Sequence, residues 1–201
     1  MTAGDTAGMI DDFISIAELV MRFGEVQRAT FHADGATRET DTTHTVMLAL
    51  CALRANAELG LDPGRLLTMA LVHDLVEAYA GDTNTLVALG PDDAEAKAAR
   101  EREALERIGS VAPWLASPIL LYDAQDTPEA RAIRYLDKIM PKLTHTLNGG
   151  ATVRGAGLSL AQLVTQHRKQ GKLLAERYAD FPAIGEWFDE AADRSEDALT
   201  R

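Results

Sequence analysis

The stretch LLTMALVHDLVEAYAGDT, residues 66–83, decides both the fold class and the chemistry. Leu66, Leu67, Met69, Ala70, Leu71, Val72, Leu75, Val76 and Ala78 make it apolar almost all the way round, the mark of a buried helix rather than a surface one. His73, Asp74 and Glu77 interrupt that apolar run. In or beside a core, an unpaired charge is expensive or shifts its pKa, and a cation is the simplest compensation. His73 and Glu77 are four apart and share a face of the expected helix, and Asp74 lies about 100° from His73 on the same turn. An ion beside that turn takes His73 and Asp74 directly and leaves Glu77 one turn along, near a bound water. A His-Asp pair alone is equally well served by a core histidine hydrogen-bonded to its neighbour, so the weight falls on the residues that accompany it.

Outward from this segment the pattern stays helical. A helix is expected from about Asp41 to Leu59, with Asp41, Thr42 and Thr43 as N-cap candidates and Gly60 as its C-cap. Asp62-Pro63 opens the next, through about Ala80. Upstream, residues 10 to about 29 carry Ile10, Phe13, Ile14, Ile16, Leu19, Val20 and Phe23 at helical spacing. The turn-rich HADGATRET, residues 32–40, comes after them. Downstream, Gly81 opens a polar loop, GDTNTLVALGPDD, before a charged helix over residues 92–109 that turns an Ala/Leu/Ile stripe inward. Short helical pieces near 111–121 precede a helix from about 128, which Pro141 kinks or interrupts. Residues 158–178 and 183–199 read as two final helices. Strand signals are poor throughout, and no repeat, linker or low-complexity tract divides the chain. Its 201 residues fit one domain, and a hydrophobic content of 46%, rich in Ala and Leu, favours helix packing over sheets. The chain reads as all-α.

The formal net charge is −11, with 31 acidic against 20 basic residues. Such a chain is repelled by polyphosphate backbones, which argues against nucleic-acid polymers and anionic membranes as partners. A small anionic substrate remains compatible, because one metal ion and one arginine reverse the local potential. Cys51 is the only cysteine, so neither an internal disulfide nor a thiolate metal cluster is expected. Within VMLALCAL it reads as a small core residue. No basic and apolar leader opens the sequence, and no stretch approaches the roughly 18 apolar residues that span a bilayer, so the expected location is cytoplasmic.

Two further residues give the His-Asp pair its weight. His44 interrupts DTTHTVMLALCAL where that helix turns apolar, and Asp137 interrupts IRYLDKIM among Ile133, Leu136, Ile139 and Met140. Two histidines and two aspartates form a mixed nitrogen and oxygen set suited to one divalent ion, Mn, Fe, Co, Ni, Zn or Mg. Four protein ligands on a six-coordinate ion leave positions open, as a catalytic site requires.

Residues spaced H…HD…D on successive helices resemble the HD-domain superfamily of metal-dependent phosphohydrolases. The longer string His73-Asp74-x-x-Glu77-x-x-x-Gly81-Asp82 resembles more narrowly the HD-domain 5′-deoxynucleotidases, as does Arg38-Glu39-x-x-x-x-His44. The likeness covers roughly residues 10 to 150, with the C-terminal helices, about 155–201, packing on that core within a single domain. It implies a helical bundle with a buried metal site, ligated by His44, His73, Asp74 and Asp137. Glu77 is then the group that positions or deprotonates the attacking water, or protonates the leaving oxygen. Asp82 accepts a hydrogen bond from the sugar 3′-hydroxyl. The substrate implied is a small phosphoester, most closely a deoxynucleoside 5′-monophosphate, hydrolysed without a covalent intermediate. In this family the phosphate-binding arginine commonly precedes a tryptophan near the end of the first helix; here Arg22-Phe23 and Arg28 are the two candidates, with a longer insertion before His44.

Plainer readings stand beside these. Asp82 after a C-cap glycine also suits a turn, and Arg22 or Arg28 also suits a surface ion pair. His32 reads as a loop residue, and His145 and His167 as solvated. The charge run Glu95–Arg107 reads as a solvated face, although relatives keep such residues near the pocket. No second His/Asp ligand cluster is evident, which argues against a two-metal phosphodiesterase. The competing functions are another HD phosphatase or pyrophosphohydrolase with a different pocket, and a non-catalytic module that only binds metal or nucleotide. A homodimer is suggested by the resemblance and by Leu158, Leu160, Leu163, Phe181, Ile184, Trp187 and Phe188, which equally suit the core.

Overall fold

The computed structural model describes residues 3–83 and 91–200, so most of the polar loop expected over 81–93 lies outside the described residues. Helix α1 (Ala3–Glu25) leads into a two-stranded antiparallel hairpin, β1 (Gln27–Phe31) and β2 (Arg38–Thr40). The rest of the described chain is helical. Its elements are α2 (Asp41–Leu59), α3 (Pro63–Val72), α4 (Glu77–Ala80), α5 (Pro91–Val111), α6 (Pro113–Ala124), α7 (Pro128–Asp137), α8 (Met140–Leu147), α9 (Ala151–Gly155), and then α10 (Leu160–Arg177) with α11 (Pro182–Thr200). The fold is all-α apart from the hairpin.

Local chemistry sets most of these boundaries. Gly60 closes α2 at φ 64°, and Asp62 caps α3 by accepting from the Arg65 amide at 2.8 Å, with Pro63 in the first turn. The cap of α2 is Thr40, one residue before the expected candidates, and it accepts from the Thr43 amide at 3.3 Å. Thr127 and Pro128 open α7 in the same way, and Ser159 with Gln162 forms a capping box on α10.

The structure departs from the sequence pattern at three places. First, the helix expected to reach residue 29 stops at Glu25, and the hairpin takes its place. Asp34 accepts from the amides of Ala36 and Thr37, with Gly35 at φ 68°, which folds the turn and brings Arg38–Thr40 beside Gln27–Phe31. Second, the helix expected through Ala80 breaks after Val72. His73–Val76 form a turn in which the amides of Leu75, Glu77 and Ala78 donate to the carbonyls of Val72, Asp74 and Leu75, a three-residue spacing. That tighter winding takes His73 and Glu77 off the shared face a continuous helix would give them. Third, the interruption expected at Pro141 is present but falls earlier, at Lys138 and Ile139, and Pro141 sits in the first turn of α8, where its missing N–H costs nothing.

The core lies where α2 and α3 meet α6 and α7, around Leu48, Leu66, Ala70, Ile119, Tyr122 and Ile133. Helix α11 packs on α7 and α8 and closes the far side with Ile184 and Phe188. Leu163, Phe181, Ile184 and Phe188 are thus buried within the chain's own core. On α1, Leu19 and Phe23 are buried while Ile10, Phe13 and Ile14 are exposed. Cys51 is half-buried rather than fully enclosed. No helix among the described residues is long and apolar enough to cross a membrane.

Candidate metal centre

The breaks in the helices build the site. His44 lies near the start of α2, His73 caps the end of α3, Asp74 sits in the turn just after it, and Asp137 is the last residue of α7. One ligand atom from each of the four falls within 4.8 Å of every other. The ends of α3 and α7 carry partial negative charge from their unpaired carbonyls, a field that favours a cation there.

The histidines are oriented from behind. His73 Nδ1 faces the Ala70 carbonyl at 2.8 Å, and as the N–H donor there it leaves the Nε2 lone pair for the centre. That Nε2 is buried 3.0 Å from Asp74 Oδ2 and 3.9 Å from Asp137 Oδ1, yet it has no hydrogen-bond partner among the described residues. His44 Nε2 lies 2.9 Å from Asp137 Oδ1, and its Nδ1 lies 3.7 Å from Glu39 Oε1. Burial opposes charging His44, but the hydrogen bond to Asp137 and the nearby Glu39 carboxylate outweigh it and raise its pKa to about 9. Glu39, 2% exposed, also accepts a hydrogen bond from Thr30 Oγ1. Burial pushes the Glu39 carboxyl up, and these contacts with His44 and Thr30 bring it below its ordinary value.

Around the four candidate ligands the acid is in excess. Arg28 reaches in from β1, with Nη1 2.7 Å from Asp41, 2.9 Å from Asp74 and 3.7 Å from Glu77; Lys138 Nζ lies 2.8 Å from Asp137. Four carboxylates, Asp41, Asp74, Glu77 and Asp137, thus face Arg28, Lys138 and, without an ion, a protonated His44, so the acidic groups outnumber the cations. Burial, then Asp74, Asp41 and Asp82, push the Glu77 carboxyl up to about 11, and burial raises Asp41 to about 6 despite Arg28. Burial works against Asp137, but Lys138 and His44 hold it well below the carboxylate range. A divalent ion between the unpartnered His73 Nε2 and these carboxylates balances the charge, and the mixed donor set suits one. Asp41, Asp74 and Glu77 form a second group with ligand atoms within 4.8 Å of one another, a trio the sequence pattern does not reveal; the Arg28 guanidinium already lies among them.

Beyond the ligands, Asp82 is half-buried just past α4, and burial raises its carboxyl. Of the two candidate arginines, Arg28 is the one at the candidate ligands, beside Asp74. Arg22 is exposed and stacks 5.3 Å over the Tyr79 ring, which also carries Arg107 at 4.2 Å. His145 and His167, expected to be solvated, are instead buried at 2% and 7% exposure, because α8 and α10 pack against α11 rather than standing free. A cavity of about 380 Å³ opens beside His73, Asp74 and Glu77, lined also by Lys97, Arg102 and Arg134 of α5 and α7.

A helical bundle whose helix ends converge on two buried histidines and two aspartates can hold a divalent ion. The chain belongs to the HD-domain family, whose model matches residues 21–177. It is also similar to the crystal structure of a protein described as a predicted metal-dependent phosphohydrolase from Magnetospirillum magnetotacticum MS-1, at 26% identity over 94% of each chain with a TM-score of 0.70. The chain matches no curated protein.

Proposed function

We propose that this HD-domain chain is a metal-dependent phosphohydrolase that releases phosphate from small phosphomonoesters, with deoxynucleoside 5′-monophosphates as its substrates. The observation that carries this reading is the unpartnered His73 Nε2 facing Asp74 and Asp137, with Arg28 and Glu77 immediately beside them. The phosphohydrolase description of the similar Magnetospirillum protein supports it.

His44, His73, Asp74 and Asp137 would hold the ion, which when bound supplies Lewis-acid polarisation and a lowered pKa for water. Arg28 turns from the carboxylates to the equatorial phosphate oxygens and neutralises charge as it develops. Glu77, with an ion's charge beside it, would position the attacking water and take its proton, or, with its carboxyl pushed up by burial, return one to the leaving sugar oxygen. Asp82, past α4, accepts the 3′-hydroxyl of a deoxyribose, and the cavity between α5 and α7 receives the rest of the nucleoside. The chain itself supplies no nucleophile in this scheme, so water attacks phosphorus and the P–O bond to the sugar breaks.

The test is phosphate release from paired deoxy- and ribonucleoside monophosphates after reconstitution with Mn²⁺, Co²⁺ or Mg²⁺. Release that favours deoxy substrates and stops with chelator supports the reading. Release from other phosphoesters alone moves the substrate elsewhere within the family, and none from metal-loaded protein overturns the hydrolase reading.

A further inference from the structure

On the other side of Asp137 lies a second cavity, of about 580 Å³, between α7–α8 and α10. Its charge is opposite to that of the chain. Arg28, Lys138, Lys142 and Lys169 line it against the single carboxylate Asp137, together with His145 and His167. Arg28 and Lys138 are engaged by the carboxylates of the metal centre. Lys142 and Lys169 have no carboxylate within ion-pair distance among the described residues.

Lys142 is the informative one. It is 3% exposed, and its Nζ donates to the Lys138 carbonyl at 3.1 Å and to Gln170 Oε1 at 2.9 Å, while lying 4.1 Å over the Phe188 ring. Neutral groups therefore hold a buried ammonium in place, with no anion bonded to it. Burial and the neighbouring Lys138 push its pKa down to about 7, the cost that a facing anion would offset. The acids that influence Lys142 are Asp137 and Glu196; the first is a metal-ligand candidate and the second bonds to His167 Nδ1 at 2.8 Å. His145, in the same wall, is 2% exposed, and neither ring nitrogen has a partner among the described residues. A buried ammonium with no anion paired to it and a buried imidazole with no partner, in one cavity, point to a ligand that accepts.

We infer that this cleft is a second anion subsite, in which Lys142, Lys169 and His145 hold a phosphate group other than the one being hydrolysed. Its place beside the hydrolytic centre rests on the proposed phosphohydrolase function; its capacity to bind does not. The phosphate is either a second one on the substrate or free phosphate, since both present the same oxygens to the same donors.

Calorimetric titration of inorganic phosphate into chelator-treated protein tests binding without any activity. One site is expected, weakened about tenfold or more by Lys142→Met and by Lys169→Glu. Lys169 is exposed, so its variant reports even if the buried substitution disturbs folding. No binding to the unaltered protein, or equal affinity in both variants, overturns the inference. The source is decided by kinetics on a nucleoside 3′,5′-bisphosphate and the 5′-monophosphate. A tenfold loss of kcat/KM confined to the bisphosphate in Lys169→Glu supports a second substrate phosphate. An unchanged ratio, with weaker inhibition by free phosphate in the variant, supports free phosphate. Absence of hydrolysis with every ester overturns the hydrolase reading alone, because calorimetry on metal-free protein still decides the subsite.

Discussion

Replacing Glu39 by glutamine removes one charge behind His44 while preserving the size of the side chain. The glutamine amide oxygen still accepts from Thr30, so β1 and β2 keep their tie, and the change falls on the 3.7 Å approach of Glu39 Oε1 to His44 Nδ1. Both side chains are almost fully enclosed, at 2% and 1% exposure, so water cannot replace the lost charge. Partners behind metal-ligating histidines are typically worth about 10–100-fold in metal affinity. A separation of 3.7 Å is longer than a direct hydrogen bond, which places the expected loss at the lower end. Affinity should thus fall about tenfold, or about 1.4 kcal/mol. Competition with a chromophoric chelator at fixed pH, using Mn²⁺ or Co²⁺, measures it directly. Affinity within twofold of the unaltered protein would refute the assignment of Glu39 as the group that orients His44.

The same geometry fixes three other outcomes. Glu77→Gln should leave metal content at the unaltered level while phosphate release falls about 10²–10⁴-fold, the usual worth of a general acid–base group; metal analysis and a release assay on one sample separate the two. Asp82→Ala should narrow the preference for deoxy over ribo substrates, read as a ratio of kcat/KM values, and an unchanged ratio removes Asp82 from sugar recognition. Lys142 loses its proton near pH 7 in the fold but near 10.4 when unfolded, so between those values the unfolded chain binds more protons and stability rises with pH. Lys142→Met should therefore stabilise the metal-free protein by a few kcal/mol, order of magnitude, at pH 6, and by progressively less toward pH 10 in urea titrations. A gain independent of pH would show that the ammonium is not strained by burial.

The helix ends are legible in the sequence where capping chemistry is local. Gly60 and Asp62-Pro63 state their roles within three residues, and the structure agrees with them. The turn at His73–Val76 is not legible, because its apolar neighbours fit a continuous helix as well; only packing of α4 away from α3 shows the break. The hairpin is hidden for a related reason: five- and three-residue strands without alternation give no period to detect. At the centre, His44, His73, Asp74 and Asp137 stand out because each breaks an apolar run. Glu39, Asp41 and Arg28 lie in polar surroundings along the chain; the resemblance offered Arg28 beside Arg22 and placed Glu39 in its string, but only the hairpin, folding them against α2, shows which of them reach the centre. The same holds for Lys142 and His145, whose burial depends on α10 and α11 arriving from distant parts of the chain.

The most direct test of the centre is metal content measured by elemental analysis alongside phosphate release, in the unaltered protein and in His73→Ala. About one divalent ion per chain with chelator-sensitive release, both lost in the variant, is the expected result. Full metal content in His73→Ala, or release that persists after the ion is removed, would contradict a hydrolytic centre built on His44, His73, Asp74 and Asp137.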